Sequence, residues 1–103
     1  MLLAQCSMPR RRADKVDANQ GEIVDALRRI PGLSVETGKD DILIGYKGRT
    51  YWYEIKTPDT VSPRTGQVRP SEITDAERKL LETWPGHYRI VWTVEQILDE
   101  VLR

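Results

Sequence analysis

The chain has 103 residues, and its 16 basic and 16 acidic side chains give a formal net charge of +0. A chain of this length can form one domain with a single core, and the balanced charge argues against a protein that coats nucleic acid along its length. No apolar run is long enough to span a membrane. One cysteine and one histidine exclude an internal disulfide and a metal site built from Cys and His, so we expect a reducing, cytoplasmic setting.

The N-terminal part divides into an arm and a helix. Residues 1–16 show no apolar periodicity, so they predict a flexible arm that precedes a single folded domain over residues 17–103. From Asn19 to Ile30 the apolar residues recur at helical spacing, and Pro31-Gly32 ends the predicted helix. The arm carries a basic run that is compatible with phosphate contacts or with simple solvation, namely Arg10, Arg11 and Arg12.

The rest of the chain alternates between strands and helices. Its pattern predicts a short strand over 33–36 and a hairpin with strands near 41–46 and 50–56. A long mobile loop over 58–72 follows, and then a helix that begins with a capping box at 74–77 and ends at residue 84. The last predicted elements are a strand over 88–93 and a helix over 94–102. A helix between the third and fourth strands implies a crossover connection. We therefore predict an α/β fold whose central mixed sheet is flanked by helices on both faces.

The hairpin register brings charged residues together. A two-residue loop at Lys47-Gly48 would place Asp41 directly opposite Glu54. Lys56 lies two residues beyond Glu54 and therefore points to the same face of the sheet. The next residues toward the turn on that face are Leu43 and Trp52. We predict that Trp52 and its neighbour Tyr53 belong to the core and are not platforms for base stacking.

Two carboxylates held this close repel each other unless a cation lies between them. Mg²⁺ or Mn²⁺ suits such a site, because these hard cations take carboxylate oxygens and keep several waters. Lys56 would then orient or deprotonate an attacking water. The arrangement predicts phosphodiester hydrolysis, and the alternative interpretation is an ion-pair cluster on the protein surface.

These residues resemble those of a known family. Over residues 17–98 the chain is similar to the PD-(D/E)XK nuclease superfamily, and within it to the VRR-NUC group of phage and bacterial nucleases. The resemblance implies a restriction-endonuclease-like αβββαβ core. It rests on the element order and on four stretches: Asp17-Ala-Asn-Gln-Gly-Glu22-Ile-Val, Gly38-x-x-Asp41, Glu54-Ile-Lys56 and Val91-Trp-Thr-Val-Glu95.

The resemblance implies roles for individual residues. Asp41 and Glu54 would bind the metal together with the backbone carbonyl of Ile55, and Lys56 would position the attacking water. Glu22 would contribute directly or through water, or it is only a favourable charge near a helix N-terminus. The implied protein is a metal-dependent DNA endonuclease that acts on branched or flapped DNA, like a Holliday-junction resolvase. It would be a homodimer in the cytoplasm of a bacterium or of a phage-infected cell.

Several alternatives stay open at this point. Asp40 stands where the family often has proline, although the register favours Asp41 over Asp40 as the ligand. The family often has Gln where this chain has Glu77, and we leave Glu77 out of the site because the capping box already explains it. The long loop carries polar residues that would bind phosphates or are merely solvated: Arg64, Gln67 and Arg69. The competing functions are a restriction-like or RNA-directed nuclease and a binding module that keeps the fold without the chemistry.

Overall fold

The protein alternates helices and strands in the predicted order. The computed structural model describes the backbone from residue 11 to residue 103, and the side chains from residue 19 onward. No helix in this part of the chain is long and apolar enough to cross a membrane. The elements are α1 (Arg11–Arg28), β1 (Ser34–Thr37), β2 (Asp41–Tyr46), β3 (Arg49–Ile55), α2 (Asp75–Thr83), β4 (Arg89–Val91) and α3 (Val94–Val101).

The first helix is longer than its apolar pattern indicates. α1 begins at Arg11, whereas the periodicity predicts a start near Asn19. The added residues are mostly Arg, Ala, Lys and Asp, and all but Asp have a high intrinsic helix propensity. Such residues extend a helix without an apolar stripe, so periodicity alone does not detect them.

The four strands form one mixed sheet in the order β1-β2-β3-β4. β1 and β2 are antiparallel, as are β2 and β3, whereas β3 and β4 are parallel. The parallel pair requires a crossover, and the chain makes it through α2. The predicted mixed α/β architecture is therefore confirmed, with a four-stranded sheet and three helices in the described part of the chain.

The hairpin between β2 and β3 has the predicted register. Lys47 and Gly48 form its loop, with φ of 51° and 79°. Positive φ at both loop residues matches the type I′ turn, whose twist suits the flanking strands. Asp41 pairs with Glu54 and Ile42 pairs with Tyr53, as the sequence predicts.

The core lies on one face of this sheet. α1 and α3 cover that face, and Tyr53 at its centre has no exposed surface. The Tyr53 hydroxyl donates a hydrogen bond of 2.5 Å to Glu100 Oε1 and so joins α3 to β3. The buried core residues are Ile23, Val24, Leu27, Leu33, Val35, Ile42, Ile44, Tyr53, Ile55, Val91, Ile97 and Val101.

The opposite face is only partly covered, so the predicted cover by helices is incomplete on this side. α2 has nine residues and none of them is buried. A helix of that length spans about 14 Å, and its Glu77 contacts Lys56 at the end of the sheet. Leu43 remains 45% exposed and Trp52 half-buried, so the prediction of a core position holds for Tyr53 and is wrong for Trp52.

The segment between β3 and α2 is ordered, contrary to the predicted mobile loop. Two short 3-10 turns begin at Pro58 and Pro70, and Val61 and Val68 form an antiparallel bridge between them. Proline suits the first position of such turns because its φ is already fixed. Gly66 adopts φ of 72° in the tip of the resulting small hairpin. These prolines and this glycine mark defined turns, which composition alone does not distinguish from a mobile loop.

Candidate active site

Three charged side chains meet at one end of the open sheet face. Asp41 begins β2, and Glu54 lies opposite it near the end of β3. Lys56 follows β3 and points to the same face, because it lies two residues beyond Glu54. Glu54 is only 9% exposed, whereas Asp41 is half-buried. The predicted trio is therefore brought together at the end of the sheet.

The Asp41 carboxylate is held by Trp52 and occupies space beside Gly38. Trp52 Nε1 donates a hydrogen bond of 2.9 Å to Asp41 Oδ2. A Cβ on Gly38 would lie only 2.1 Å from Asp41 Oδ1, so this carboxylate occupies space that any other residue at position 38 would need. The Gly38 N–H also donates to the Asp41 carbonyl oxygen at 2.8 Å. Gly38 and Trp52 thus define where the carboxylate lies.

The two neighbouring aspartates occupy different positions in the hairpin. Asp40 continues the sheet ladder with its main chain, since its carbonyl oxygen accepts a 2.9 Å hydrogen bond from the Ile55 N–H. Asp41 is the residue whose register partner is Glu54. Successive side chains in a strand point to opposite faces, so Asp41 belongs to the site face.

Glu54 sits in an environment that opposes its negative charge. Its pKa is raised from 4.5 to about 8, first by burial and then by the nearby charge of Glu77, which outweighs the opposite effect of Lys56. The hydroxyl of Tyr88 is buried beside Glu54. Burial also raises the pKa of Tyr88, and the charge of Glu54 adds to the effect. This end of the sheet therefore gathers three carboxyl groups, those of Asp41, Glu54 and Glu77, around the one amine of Lys56.

Lys56 makes its main side-chain contact with Glu77 of α2. Its Nζ lies 2.9 Å from Glu77 Oε1 and 3.2 Å from Oε2, and the two side chains are only 16% and 13% exposed. Although burial raises the pKa of Glu77, hydrogen bonds from Lys56 and from the Thr74 main chain outweigh it and hold that pKa below its ordinary value. Glu77 therefore contacts the lysine of this cluster, a contact that the prediction did not include.

Sequence reasoning missed Glu77 because one role had already been assigned to it. The predicted capping box is confirmed, with Thr74 N–H donating to Glu77 Oε1 at 3.0 Å and Glu77 N–H donating to Thr74 Oγ1 at 3.1 Å. A carboxylate has several lone pairs, so it can cap a helix and accept from a lysine at once. The predicted crossover could have indicated the contact with Lys56, because it brings the start of α2 close to the end of β3.

α1 contacts the cluster through the side-chain amide of Asn19 and not through the carboxylate of Glu22. Asn19 Nδ2 donates a 2.8 Å hydrogen bond to the Lys56 carbonyl oxygen. The Lys56 N–H donates to the Val91 carbonyl oxygen at 2.8 Å, so the lysine backbone is held on both sides. Glu22 is exposed and lines a separate surface depression with Asn19, Trp92 and other residues. No contact in the described part of the chain joins Glu22 to Asp41 or Glu54.

The donor set suits a hard divalent cation that keeps most of its waters. The described residues contain no cluster of three or more His, Cys, Asp or Glu side chains placed to hold a metal. The two opposed carboxylates of Asp41 and Glu54 remain as side-chain donors. Mg²⁺ is usually held by one or two carboxylates and by substrate phosphates, not by a complete protein cage. A cation bound between Asp41 and Glu54 would favour the charged form of Glu54, so this donor set is compatible with Mg²⁺ or Mn²⁺.

The residues predicted to contact phosphates either lie away from this cluster or are not among the residues that the structure describes. Arg10 falls outside the described residues, and Arg11 and Arg12 lie in the first turn of α1 with side chains that are not described. Arg64 and Gln67 are exposed on the small hairpin, and the Arg69 guanidinium donates a 2.8 Å hydrogen bond to the Asp59 carbonyl oxygen. Within residues 19–103, no contact joins these side chains to Asp41, Glu54 or Lys56.

Comparison with protein-family models, with curated proteins and with solved structures gives no match for this chain.

Proposed function

We propose that this protein is a divalent-metal-dependent DNA endonuclease with the αβββαβ core of the PD-(D/E)XK nucleases. The observation that carries the proposal is the register that pairs Asp41 with Glu54 and places Lys56 on the same face. Burial of Glu54 at 9% exposure adds to it, because a carboxylate kept in such an environment is stabilised by a bound cation. The VRR-NUC group remains the family that the residues resemble.

The residues have distinct tasks in the proposed reaction. Asp41, Glu54 and the Ile55 carbonyl would hold Mg²⁺ or Mn²⁺, which supplies Lewis-acid stabilisation of charge on the scissile phosphate. Lys56 would orient a water for attack or, in its neutral form, accept the proton of that water. In its charged form the amine has three N–H donors, so contact with Glu77 leaves at least one to orient the water. Glu77 and Asn19 hold the lysine side chain and backbone in place.

The proposed substrate is branched or flapped DNA, as for a Holliday-junction resolvase. A net charge of +0 suits recognition of a local DNA shape better than contact along a long duplex. Phosphate contacts would come from the N-terminal basic run and from the small hairpin with Arg64, Gln67 and Arg69. We propose a homodimer, since two sites related by a two-fold axis suit a substrate with two strands to cut, in the cytoplasm of a bacterium or a phage-infected cell.

A non-catalytic nucleic-acid-binding module is the second candidate. The observation that favours it is the Lys56–Glu77 pair, because a lysine bonded to a half-buried carboxylate can be purely structural. A restriction-like or RNA-directed nuclease would use the same residues on another substrate. These candidates differ in whether cleavage occurs and on which nucleic acid.

Cleavage of linear, flapped and four-way DNA, and of matched RNA, with Mg²⁺, Mn²⁺ or EDTA tests the proposal. Glu54→Gln removes one negative ligand, so we expect both Mn²⁺ affinity and cleavage to fall by about 100-fold or more. DNA binding without metal should survive or improve, because repulsion of the phosphates decreases.

Lys56→Ala should keep Mn²⁺ binding, measured by calorimetry, and lose cleavage. Lys56→Arg should restore little of the cleavage that Lys56→Ala loses, since a guanidinium does not release its proton.

A pair of neighbouring substitutions provides the control. Asp41→Asn should abolish cleavage, whereas Asp40→Asn should retain it, because Asp40 points to the other face. Full cleavage by both Glu54→Gln and Lys56→Ala would remove the assignment. DNA binding without cleavage under every metal condition would favour the binding module.

A further inference from the structure

A groove on the open sheet face runs directly beside Asp41. It encloses about 410 Å³, and two large apolar side chains exposed to solvent line it, Leu43 at 45% and Trp84 at 47%. Trp52, whose indole holds Asp41, forms part of the same wall. Exposed apolar side chains grouped in one concave place commonly mark a binding site. This groove therefore continues the proposed site toward the turn end of the hairpin.

The aromatic wall of the groove is fixed before any ligand arrives. The Trp84 ring meets the Trp52 ring edge to face, with centroids 5.4 Å apart and planes at 86°. A Cβ on Gly86 would lie 2.9 Å from Trp84 Nε1, so the backbone presses closely on this indole. Tyr88 contacts Trp52 with centroids 4.8 Å apart. A held aromatic ring binds a flat ligand without the entropy cost of ordering a mobile side chain.

The charge of the groove determines which part of a nucleotide it can accept. Its charged lining residues, all within the described part of the chain, are the carboxylates Glu36 and Asp41. Carboxylates repel a phosphate, but they accept hydrogen bonds from the exocyclic amino groups of bases. Glu36 is exposed on the rim and free to accept such a bond, whereas Asp41 is bonded to Trp52. The groove is thus complementary to a base and not to the backbone.

We propose that this groove binds an unpaired nucleobase, with Trp84 as the stacking surface and Glu36 as an acceptor for an amino group. The inference rests on the proposed function, because it places the base next to the phosphate that would lie at Asp41 and Glu54. Bases inside a duplex are paired and stacked, so they cannot enter. The groove would therefore give the enzyme its selectivity for flaps and branches.

Binding of fluorescent hexanucleotides in EDTA, followed by anisotropy, tests the inference without requiring cleavage. The probes are single strands of dA, of dT and of abasic residues, which carry equal charge. Wild-type protein should bind the dA strand about tenfold more tightly than the abasic strand, because stacking on one aromatic ring contributes about that factor. The dT strand should bind between the two, because thymine has a smaller ring and no exocyclic amino group, and Glu36→Ala should reduce the difference between dA and dT.

Substitutions at position 84 separate stacking from general apolar contact. Trp84→Phe should keep most of the preference for dA over the abasic strand, whereas Trp84→Leu and Trp84→Ala should lose it. Leu102→Ala removes an equally exposed apolar side chain outside the groove and should bind as wild type does. Circular dichroism confirms that each variant is folded.

Several outcomes would overturn the inference. They are equal binding of dA and abasic strands by the wild type, Trp84→Leu binding as well as Trp84→Phe, and a wild-type dimer that Trp84→Ala dissociates in sedimentation. The last result would show that the groove holds a second copy of the chain. Absence of cleavage on every DNA would reject the nuclease proposal but leave these binding results readable, so the two failures are distinguishable.

Discussion

At the scale of single residues, the position of one carboxylate depends on the absence of a side chain. Gly38 approaches Asp41 so closely that a Cβ would lie 2.1 Å from Oδ1. The backbone of Gly38 does not adopt positive φ, so conformational freedom is not the reason for glycine here. Space for the Asp41 carboxylate is the reason that the structure supplies.

We expect Gly38→Ala to displace the Asp41 carboxylate and lower both Mn²⁺ affinity and cleavage about tenfold or more. The free energy of unfolding should change by less than about 1 kcal/mol, because the end of a side chain can rotate away without moving the backbone. Calorimetry with Mn²⁺ and urea unfolding measure the two effects. Gly21→Ala is the matched control, since no atom lies within 4 Å of its added Cβ and the position is helical. Equal metal affinity in both variants would contradict this role for Gly38.

At the scale of elements, the hairpin turn sets the register that the site needs. Gly48 has φ of 79° and Lys47 has φ of 51°. A one-residue slip would turn Asp41 and Glu54 toward opposite faces. The turn residues and the site residues are therefore coupled through strand pairing, although they lie at opposite ends of the hairpin.

Gly48→Ala should lower the free energy of unfolding by about 1–2 kcal/mol, because an alanine at positive φ is strained. Gly45→Ala, in the same hairpin, should change it by less than about 0.5 kcal/mol, since Gly45 lacks positive φ and has no atom within 4 Å of an added Cβ. Urea unfolding with unchanged slope gives the comparison. Equal destabilisation by the two substitutions would show that the turn conformation is not the cause.

At the scale of the whole molecule, Glu100 joins the last helix to the centre of the sheet. It accepts a hydrogen bond from the Tyr53 hydroxyl, and His87 Nε2 and Arg89 lie 3.1 and 3.4 Å from the same oxygen. Although burial raises the pKa of Glu100, these partners outweigh it and hold that pKa below its ordinary value of 4.5. The charged form of Glu100 is therefore stabilised in the folded state.

Glu100→Gln should lower the free energy of unfolding at pH 7 by about 1 kcal/mol, a modest value because about a third of the side chain is exposed. The folded protein binds this proton less readily than the unfolded chain does. The difference in free energy of unfolding between wild type and Glu100→Gln should thus be complete above pH 4.5 and decrease as the pH falls below it. Asp99→Asn is the control, because its side chain is 78% exposed and pairs only with Arg103 among the contacts described. A pH-independent difference between Glu100→Gln and wild type would contradict the assignment.

The sequence by itself determined the element order, the mixed sheet and the alignment of Asp41, Glu54 and Lys56. These follow from local rules, since alternation of side chains and a two-residue turn specify a hairpin register. Only the tertiary structure decided that Glu77 bonds Lys56, that Glu54 is buried and that Leu43 and Trp84 stay exposed. Lys56 and Glu77 are 21 residues apart, joined through a segment whose turns are not readable from composition. The position of a helix on a sheet depends on packing between segments that are distant in the sequence. No local sequence pattern therefore shows which part of the sheet the helix leaves exposed.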